Sequence, residues 1–288
     1  MKPAAFEYYS PATLDAALAA LAAAGAQDGR VLAGGQSLLP TMALRLARPA
    51  HLIDINGIAE LASLRVEQNE LVIGACVRHA AFERPAEDGP LGRLLARVVR
   101  HIAHYPIRTR GTFCGSLAQA DPAAEWCLVA ATLSARMVIA NAKGRRAVNA
   151  DAFFEGPMMT ALRDGELLIE ARLPLLAAGT RTGFCELSRR AGDFAIAMAL
   201  VTYELRDGVI SEPRVGLGGV EDSPRRIAEA EAALRGKPAR QDVFETAADA
   251  ASQAISPMSD IRCSADYRRE VARAMVLRAL AQAAGDVR

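Results

Sequence analysis

The sequence predicts a mixed fold of helices and strands, and three segments carry most of that prediction. Residues Pro90 to Ala103 place apolar side chains on one helical face, at positions i, i+3, i+4, i+7 and i+8. Leu64 to Glu67 and Glu70 to Ile73 alternate around the polar pair Gln68-Asn69, as the two strands of a β-hairpin do. The chain opens with a strand, a glycine turn, a short helix and a second strand at His51 to Ile55, which is a βαβ-like unit.

The other elements follow in chain order from capping residues, periodicity and turn signals. Thr13 can cap a first helix that ends at Gly25. A strand from Arg30 to Ala33 then leads into the glycine turn and a short helix from Met42 to Ala47. The remaining predicted elements are a helix that begins at Pro122 and continues through 126–133, a hairpin of 135–140 and 146–148, a helical turn at 152–156, strands at 166–173, 184–189, 194–205 and 214–220, and helices at 224–234, 242–252 and 264–284.

Residues Pro174 to Thr182 form the predicted domain boundary. The segment Leu-Leu-Ala-Ala-Gly within it has neither the helical nor the strand period. We therefore expect a first domain over residues 1–174 and a C-terminal domain over residues 180–288. We find no internal repeat of fixed period in the sequence.

The composition argues against several classes of function. The 288 residues are enough for two or three domains. The 34 basic and 33 acidic residues nearly balance and only 5% of residues are aromatic, so no nucleic-acid partner is expected. The first residues form no apolar signal segment, and the longest apolar runs are about half as long as a membrane span. We therefore expect a cytoplasmic protein without a transmembrane segment.

The cysteines and histidines do not have the spacing of a metal centre. The five cysteines are scattered and form no CxxC pair, at Cys76, Cys114, Cys127, Cys185 and Cys263. A structural zinc or an iron–sulfur cluster in this chain is therefore not expected. His101 and His104 are three residues apart, which is compatible with metal ligation, but the sequence offers no third ligand nearby.

Two glycines organise the first candidate ligand-binding loop, within Val31 to Pro40. At Gly34-Gly35 the absence of Cβ atoms allows a positive φ and the close approach of a ligand. Successive backbone N–H groups in such a turn can form a nest for anionic oxygens, and Ser37 adds a hydroxyl donor. The same residues are compatible with a tight strand-to-helix turn that binds nothing. The glycines lack the GxGxxG spacing, so a Rossmann dinucleotide site is not predicted.

A second loop of small residues and hydroxyls runs from Thr109 to Glu125. It ends at a predicted helix start, with Asp121 as the N-cap and Pro122 at the first helical position. Asp121 therefore has a structural explanation as well as a functional one. Two donor-rich loops in one chain together favour an extended ligand that carries a pyrophosphate.

These motifs resemble the FAD-binding medium subunit of molybdenum hydroxylases, the family of carbon monoxide dehydrogenase and xanthine dehydrogenase. The resemblance covers nearly the whole chain. It rests on the two loops and on three later stretches: Ala33-Gly34-Gly35-Gln36-Ser37-Leu38-Leu39-Pro40, Arg110 to Glu125, Ser188-Arg189-Arg190, Leu217-Gly218-Gly219-Val220, and Ser264-Ala265 with Tyr267-Arg268-Arg269.

The resemblance implies an α+β fold and an FAD site. A two-subdomain FAD-binding domain of the vanillyl-alcohol-oxidase (PCMH) type, divided at about 1–56 and 57–174, would precede a smaller α+β C-terminal domain with a three-stranded sheet and helices. The first loop would cradle the pyrophosphate, the second would run toward the flavin ring, and Leu168 would be an apolar neighbour of that ring. By position, the resemblance assigns cofactor binding to Ala33, Gly34, Gly35, Gln36, Ser37, Leu38, Thr112, Cys114, Gly115, Ser116, Ala118, Asp121, Leu168 and Cys185.

This chain departs from the family pattern at two positions of the second loop. Cys114 stands in place of a glycine, and Gln119 stands in place of a histidine or an asparagine. The Cys114 side chain is expected to narrow the loop beside the flavin phosphates without abolishing FAD binding.

The resemblance further implies an electron-transferring oxidoreductase subunit with no catalytic or metal-ligating residue of its own. A molybdenum–pterin cofactor in a large subunit would oxidise the substrate. Two-iron two-sulfur clusters in a small subunit would pass electrons to FAD here, and an external acceptor would receive them. The expected assembly is a dimer of heterotrimers.

Two alternatives remain open on the residues alone. One is a stand-alone FAD-dependent oxidase or reductase, for which the sequence offers no identifiable substrate base. The other is a regulatory module whose glycine loops bind a different phosphate ligand. Visible flavin absorbance would separate the second alternative from both flavoprotein interpretations.

Overall fold

A computed structural model of the chain describes residues 2–25 and 28–285. The helices in these residues are α1 (Leu14–Gly25), α2 (Leu38–Ala43), α3 (Pro90–Val98), α4 (Tyr105–Arg108), α5 (Phe113–Gln119), α6 (Glu125–Thr132), α7 (Ala150–Phe153), α8 (Ala228–Leu234), α9 (Gln241–Ala254) and α10 (Ala265–Gly285). Of the helices described, none is both long enough and apolar enough to cross a bilayer.

The strands form three sheets and one small hairpin. They are β1 (Glu7–Tyr9), β2 (Gly29–Leu32), β3 (His51–Asp54), β4 (Leu64–Glu67), β5 (Glu70–Gly74), β6 (Arg136–Asn141), β7 (Gly144–Asn149), β8 (Phe154–Gly156), β9 (Met159–Thr160), β10 (Leu167–Pro174), β11 (Arg181–Ser188), β12 (Ala195–Arg206), β13 (Val209–Gly218) and β14 (Arg225–Arg226). The sheet orders are β1-β3-β2, β4-β5-β10-β6-β7 and β11-β12-β13-β14, and β8 pairs with β9.

The N-terminal sheet is parallel and carries α1 on one face. Leu14, Leu18 and Leu21 form the buried stripe of α1, as its helical period predicts. The Thr13 hydroxyl accepts the N–H of Ala16 at 3.2 Å, so the predicted cap is confirmed. Strand β1 was not predicted; it adds to β3 at the edge of the sheet.

The five-stranded sheet is antiparallel, and β10 enters it between the two predicted hairpins. Against it packs an aromatic cluster of Phe82, Phe113 and Trp126, all fully buried. The ring centroids of Phe113 and Trp126 are 4.8 Å apart, and those of Phe82 and Trp126 are 5.2 Å apart. Because Phe113 begins α5 and Trp126 is the second residue of α6, the cluster fixes both ends of the second loop.

The C-terminal sheet contains four antiparallel strands, one more than the three that the family resemblance implied. The additional strand, β14, has only two residues. Helix α10 packs on β11 and β12, and the N–H of Gly219 donates to Pro122 O at 2.8 Å. This hydrogen bond joins the C-terminal sheet directly to the second loop.

One helix prediction and one loop prediction were wrong around the second loop. The helix predicted to run to Ala103 ends at Val98. The chain turns at Ala103, which has φ of 43°. The Arg108 guanidinium donates hydrogen bonds to Ile102 O and Ala103 O at 3.2 Å each, so these carbonyls do not continue the helix. The predicted 109–125 loop contains α5, a helix of seven residues.

Asp121 is not the N-cap that the sequence predicts. Helix α6 begins at Glu125, three residues after the predicted start at Pro122. Asp121 Oδ1 instead accepts the N–H of Ala123 at 2.9 Å, which is an Asx turn. The left-handed Ala120, at φ of 52°, ends α5 and sets up this turn. The Asp121 carboxylate is thus held in a loop at the cleft rather than at a helix start.

Gly183 tests the contact between the C-terminal sheet and α10. A Cβ added to Gly183 would overlap the carbonyl oxygen of Ala279 on α10. Overpacking of this kind typically costs about 1–3 kcal/mol. We therefore expect Gly183→Ala to lower the free energy of unfolding by that amount in urea titrations. The control is Gly179→Ala, which meets no atom within 4 Å; equal stability of the two variants would contradict the packing described.

Candidate functional site

Both glycine loops line one cleft with a volume of about 840 Å³. Known ligand pockets occupy about 300–1,000 Å³, so this cleft has room for a large cofactor. It receives residues from β2, α2, α5, β10 and the loop before β12. From the sequence-predicted cofactor residues it brings together Ala33, Gly34, Gly35, Gln36, Ser37, Leu38, Thr112, Cys114, Gly115, Ser116, Ala118, Asp121 and Leu168.

The first loop lies directly against the second at Gly34. A Cβ on Gly34 would be 2.5 Å from Arg110 O and 2.6 Å from the Gly111 Cα, so the two backbones touch here. Gly35 has φ of 69°, the left-handed conformation that the paired glycines predicted. Gln36 Nε2 donates to Gly34 O at 2.9 Å and folds its side chain back over the turn. Any side chain at Gly34 would therefore push the loops apart.

Asn56 and Arg78 tie the two loops together with hydrogen bonds. Asn56 Nδ2 donates to Ala33 O at 2.8 Å, on the first loop. Arg78 donates to Asn56 Oδ1 at 2.6 Å and also to Arg110 O, on the second loop. Sequence reasoning missed both residues, because neither lies within a loop motif.

The second loop is shaped by Thr112. Its Oγ1 accepts the N–H of Gly115 at 3.0 Å and caps α5. A Cβ on Gly115 would come within 2.5 Å of that oxygen, so only glycine fits the cap. Ser116 lies at the cleft in the next helical position. The loop thus presents small side chains and one hydroxyl to the cavity.

The side chains of Cys114 and Gln119, the two departures from the family pattern, have different surroundings. Cys114 lines the cleft, but its Sγ lies 3.4 Å from Ile73 O in the core, and burial raises the pKa of the thiol. The thiol is therefore directed toward β5. Gln119 Nε2 contacts Met158 Sδ at 3.1 Å, at the cleft.

Leu168 and Cys185 pack against different hydrophobic cores. Leu168 lies in β10, is 3% exposed and lines the cleft. Cys185 lies in β11, pairs with Ala199 and packs against the C-terminal core. The structure does not bring Cys185 to the cleft walls.

The structure adds Glu125 to the cleft. It is the first residue of α6 and is 8% exposed, which is unusual for a carboxylate. Burial, with the nearby charge of Asp121, raises the pKa of Glu125 above its usual range. One signal in the sequence could have indicated Glu125: it is a lone acidic residue directly before the apolar run of α6.

His79 packs against the second loop, and the sequence analysis did not identify it as a site residue. Its Nδ1 accepts the indole N–H of Trp126 at 2.9 Å. Burial, and then the charges of Arg78 and Arg108, lower the pKa of His79 to about 4. The imidazole is therefore neutral near pH 7, with its proton on Nε2 (assigned from the indole contact). That nitrogen lies beside Gly111, where a Cβ would be 2.5 Å away.

Charged and apolar side chains complete the cleft. Arg30 and Arg163 line the cleft together with the carboxyl side chains of Asp121, Glu125, Asp164, Glu166 and Asp193. Phe194 reaches the cleft from the loop before β12 and is 50% exposed. His101 and His104 do not form a metal site: in residues 2–25 and 28–285, no three His, Cys, Asp or Glu side chains are grouped to hold an ion.

Comparisons with known proteins agree with this geometry. Residues 4–176 match the family described as the FAD binding domain in molybdopterin dehydrogenase, and residues 182–283 match the CO dehydrogenase flavoprotein C-terminal domain. The chain is 38% identical over 281 residues to the carbon monoxide dehydrogenase medium chain of Hydrogenophaga pseudoflava, covering 97% of each. It is 35% identical over 283 residues to the nicotine 6-hydroxylase medium subunit of Paenarthrobacter nicotinovorans, covering 98% of this chain and 99% of that one. A solved structure of the Hydrogenophaga carbon monoxide dehydrogenase matches with a TM-score of 0.94 and 40% identity, over 99% of each chain.

His79 makes stability depend on acid pH. The pKa of His79 is lowered from 6.5 to about 4 on folding. Between these pH values, His79 is protonated in the unfolded chain but not in the folded chain. The stability present above pH 6.5 is therefore lost as the pH falls toward 4, by roughly 1–3 kcal/mol. His79→Gln, which keeps an acceptor for the indole, should remove most of this loss in urea titrations. His104→Gln, at an exposed position, is the control; the same acid-side loss in all three proteins would rule out this role.

Proposed function

The chain belongs to the FAD-binding medium subunits of molybdenum hydroxylases, and we propose that it passes electrons from iron–sulfur clusters of a partner subunit to an external acceptor. The observation that carries the proposal is the cleft in which the two glycine loops meet at Gly34 and Gly111. Its walls offer backbone N–H donors and hydroxyls to a ligand that carries phosphate groups.

The residues of the cleft fit FAD. Gly34 and Gly115 stand where a Cβ would collide, so the backbone itself forms both loop surfaces. The loop 34–37 and the residues Gly115 and Ser116 would hold the pyrophosphate through N–H groups and hydroxyls. Leu168 would lie beside the flavin ring, with Glu125 at the same cleft. When bound, FAD supplies the redox chemistry; the protein binds it, orients it and shapes the electrostatics around it.

The partners we propose are a small iron–sulfur subunit and a large molybdenum–pterin subunit, in a cytoplasmic dimer of heterotrimers. One support is the naming of relatives as medium subunits, including those for carbon monoxide and nicotine. The other is a set of exposed apolar side chains at the cleft, which is typical of an interaction surface. They are Leu46, Met158 and Phe194, between 50% and 78% exposed, and Ile107, at 37%.

Gly34→Ala tests whether the contact between the loops is required for FAD binding. The added Cβ must displace Arg110 O, and overpacking costs about 1–3 kcal/mol. FAD affinity should therefore fall by about five- to hundredfold, measured by flavin fluorescence during titration of the flavin-free chain. Gly57→Ala, whose added Cβ would have Pro11 O as its nearest neighbour at an ordinary 3.9 Å, should bind FAD normally. Full affinity in Gly34→Ala would contradict the proposed cradle.

The proposed assembly can be tested separately from FAD binding. Co-expressed with an iron–sulfur subunit and a molybdenum–pterin subunit of its complex, the chain should sediment as a dimer of heterotrimers and become reduced when substrate is added. Alone and loaded with FAD, it should not oxidise an organic substrate. A lone chain that stays apart from those partners and oxidises a substrate unaided would instead establish a stand-alone oxidase.

A further inference from the structure

Two side chains outside the cleft join its two walls. Asn56 lies two residues after β3, next to the first loop, and Arg78 lies next to the second loop. Neither is among the residues that line the cleft in the described part of the chain. We propose that Arg78, acting through Asn56, is a positioning residue that keeps bound FAD from leaving the cleft. This inference rests on the proposed function, because it requires FAD to lie between the two loops.

The backbone around Arg78 is fixed to the second loop. The His79 N–H donates to Gly111 O at 2.9 Å, and the Phe113 N–H donates to Val77 O at 3.0 Å. These two hydrogen bonds flank Arg78 on both sides and form a short antiparallel bridge with the loop. The Arg78 side chain therefore extends from a point whose position is set by the second loop.

The guanidinium group of Arg78 contacts both loops, one directly and one through Asn56. One nitrogen donates to Arg110 O on the second loop, and the other donates to Asn56 Oδ1 at 2.6 Å. Asn56 Nδ2 in turn donates to Ala33 O on the first loop at 2.8 Å. A guanidinium is planar and carries donors on separate nitrogens, so one side chain holds both acceptors at a fixed spacing. We call this pair of residues the Arg78–Asn56 clamp.

The amide of Asn56 is held in the orientation that the clamp requires. Its backbone N–H and its Nδ2 both donate to Asp54 Oδ1, at 2.9 Å and 2.6 Å. Because Nδ2 is directed to Asp54 and Ala33, the acceptor Oδ1 faces Arg78. The Tyr8 hydroxyl donates to Asp54 Oδ2 at 2.6 Å, which connects Asp54 to β1. One end of the clamp is thus anchored in the N-terminal sheet and the other in the second loop.

Retention of FAD depends on the two loops staying together. In the proposed site the pyrophosphate contacts the loop 34–37 on one side and Gly115 and Ser116 on the other, so a chain with its loops apart lacks half of the contacts. At Gly34 and Gly111 the loops meet through backbone alone, without interlocking side chains. The clamp adds hydrogen bonds from a charged donor, which are about twice as strong as neutral ones. The observed affinity is proportional to the fraction of chains in the binding-competent state, so loss of the clamp weakens FAD binding.

The first experiment measures how much FAD stays on the FAD-loaded chain after timed gel filtration. Arg78→Gln removes both hydrogen bonds of the guanidinium and should release FAD about ten- to hundredfold faster than the wild type. Arg78→Lys, which has a single nitrogen to donate, should release it at an intermediate rate. Arg84→Gln removes the same charge at an exposed position six residues further on and should behave as wild type. Release at the wild-type rate from Arg78→Gln would overturn the inference.

A double-mutant cycle tests whether Arg78 acts through Asn56. Asn56→Ala removes the link to Ala33 O and should also release FAD faster. Without that link Arg78 no longer reaches the first loop, so the variant with both substitutions should release FAD about as fast as the faster single variant. Effects of the two substitutions that multiply would show that they act independently and would refute the clamp.

A third measurement separates positioning from damage to the fold. The visible spectrum of the flavin that remains bound to Arg78→Gln should match the wild type, because Arg78 lies outside the cleft. In the assembled complex, excess FAD should restore the wild-type rate of flavin reduction by substrate. An altered flavin spectrum, or a rate that excess FAD does not restore, would contradict a role in retention alone. Failure of the proposed function would look different, because the wild-type chain itself would then hold no flavin.

Discussion

The cofactor cleft depends on the backbone contact between its two loops. Gly34 touches Arg110 and Gly111 so closely that no side chain fits between them. The contact joins two parts of the chain more than seventy residues apart in sequence. Asn56 and Arg78 hold it from the side, with hydrogen bonds to Ala33 O and Arg110 O. Without this contact the loops would be two unrelated turns; with it they form one surface of small residues and N–H donors.

The packing of the rest of the chain supports that surface. The aromatic cluster of Phe82, Phe113 and Trp126 anchors the second loop to the five-stranded sheet. His79 accepts the indole N–H of Trp126 and lies against Gly111, so the cluster also supports the loop contact. The C-terminal sheet adds the hydrogen bond from Gly219 to Pro122. These contacts hold the second loop in the position in which its small residues line the cleft.

The sequence predicted the elements well where local signals are strong. Thr13 caps α1 as expected, and the predicted hairpin around Gln68-Asn69 joins β4 to β5. The prediction was wrong where tertiary contacts determine the local structure. Arg108 donates to the carbonyls of Ile102 and Ala103 beyond the end of α3, and α5 forms inside a segment predicted to be a loop. The glycine and hydroxyl motifs could be found because their spacing is local information, and the predicted cofactor residues other than Cys185 line the cleft. Asn56, Arg78 and Glu125 were missed because their roles depend on partners far away in sequence.

The acidic side chains buried in the protein lower its stability rather than add to it. Glu125 is 8% exposed, and Oε2 of Glu186 lacks a partner among the described residues. A core made only of apolar residues would be more stable at these positions, because a buried carboxyl must be neutral or paired. Burial raises the pKa of both carboxyls, so the neutral form is the one that the fold tolerates.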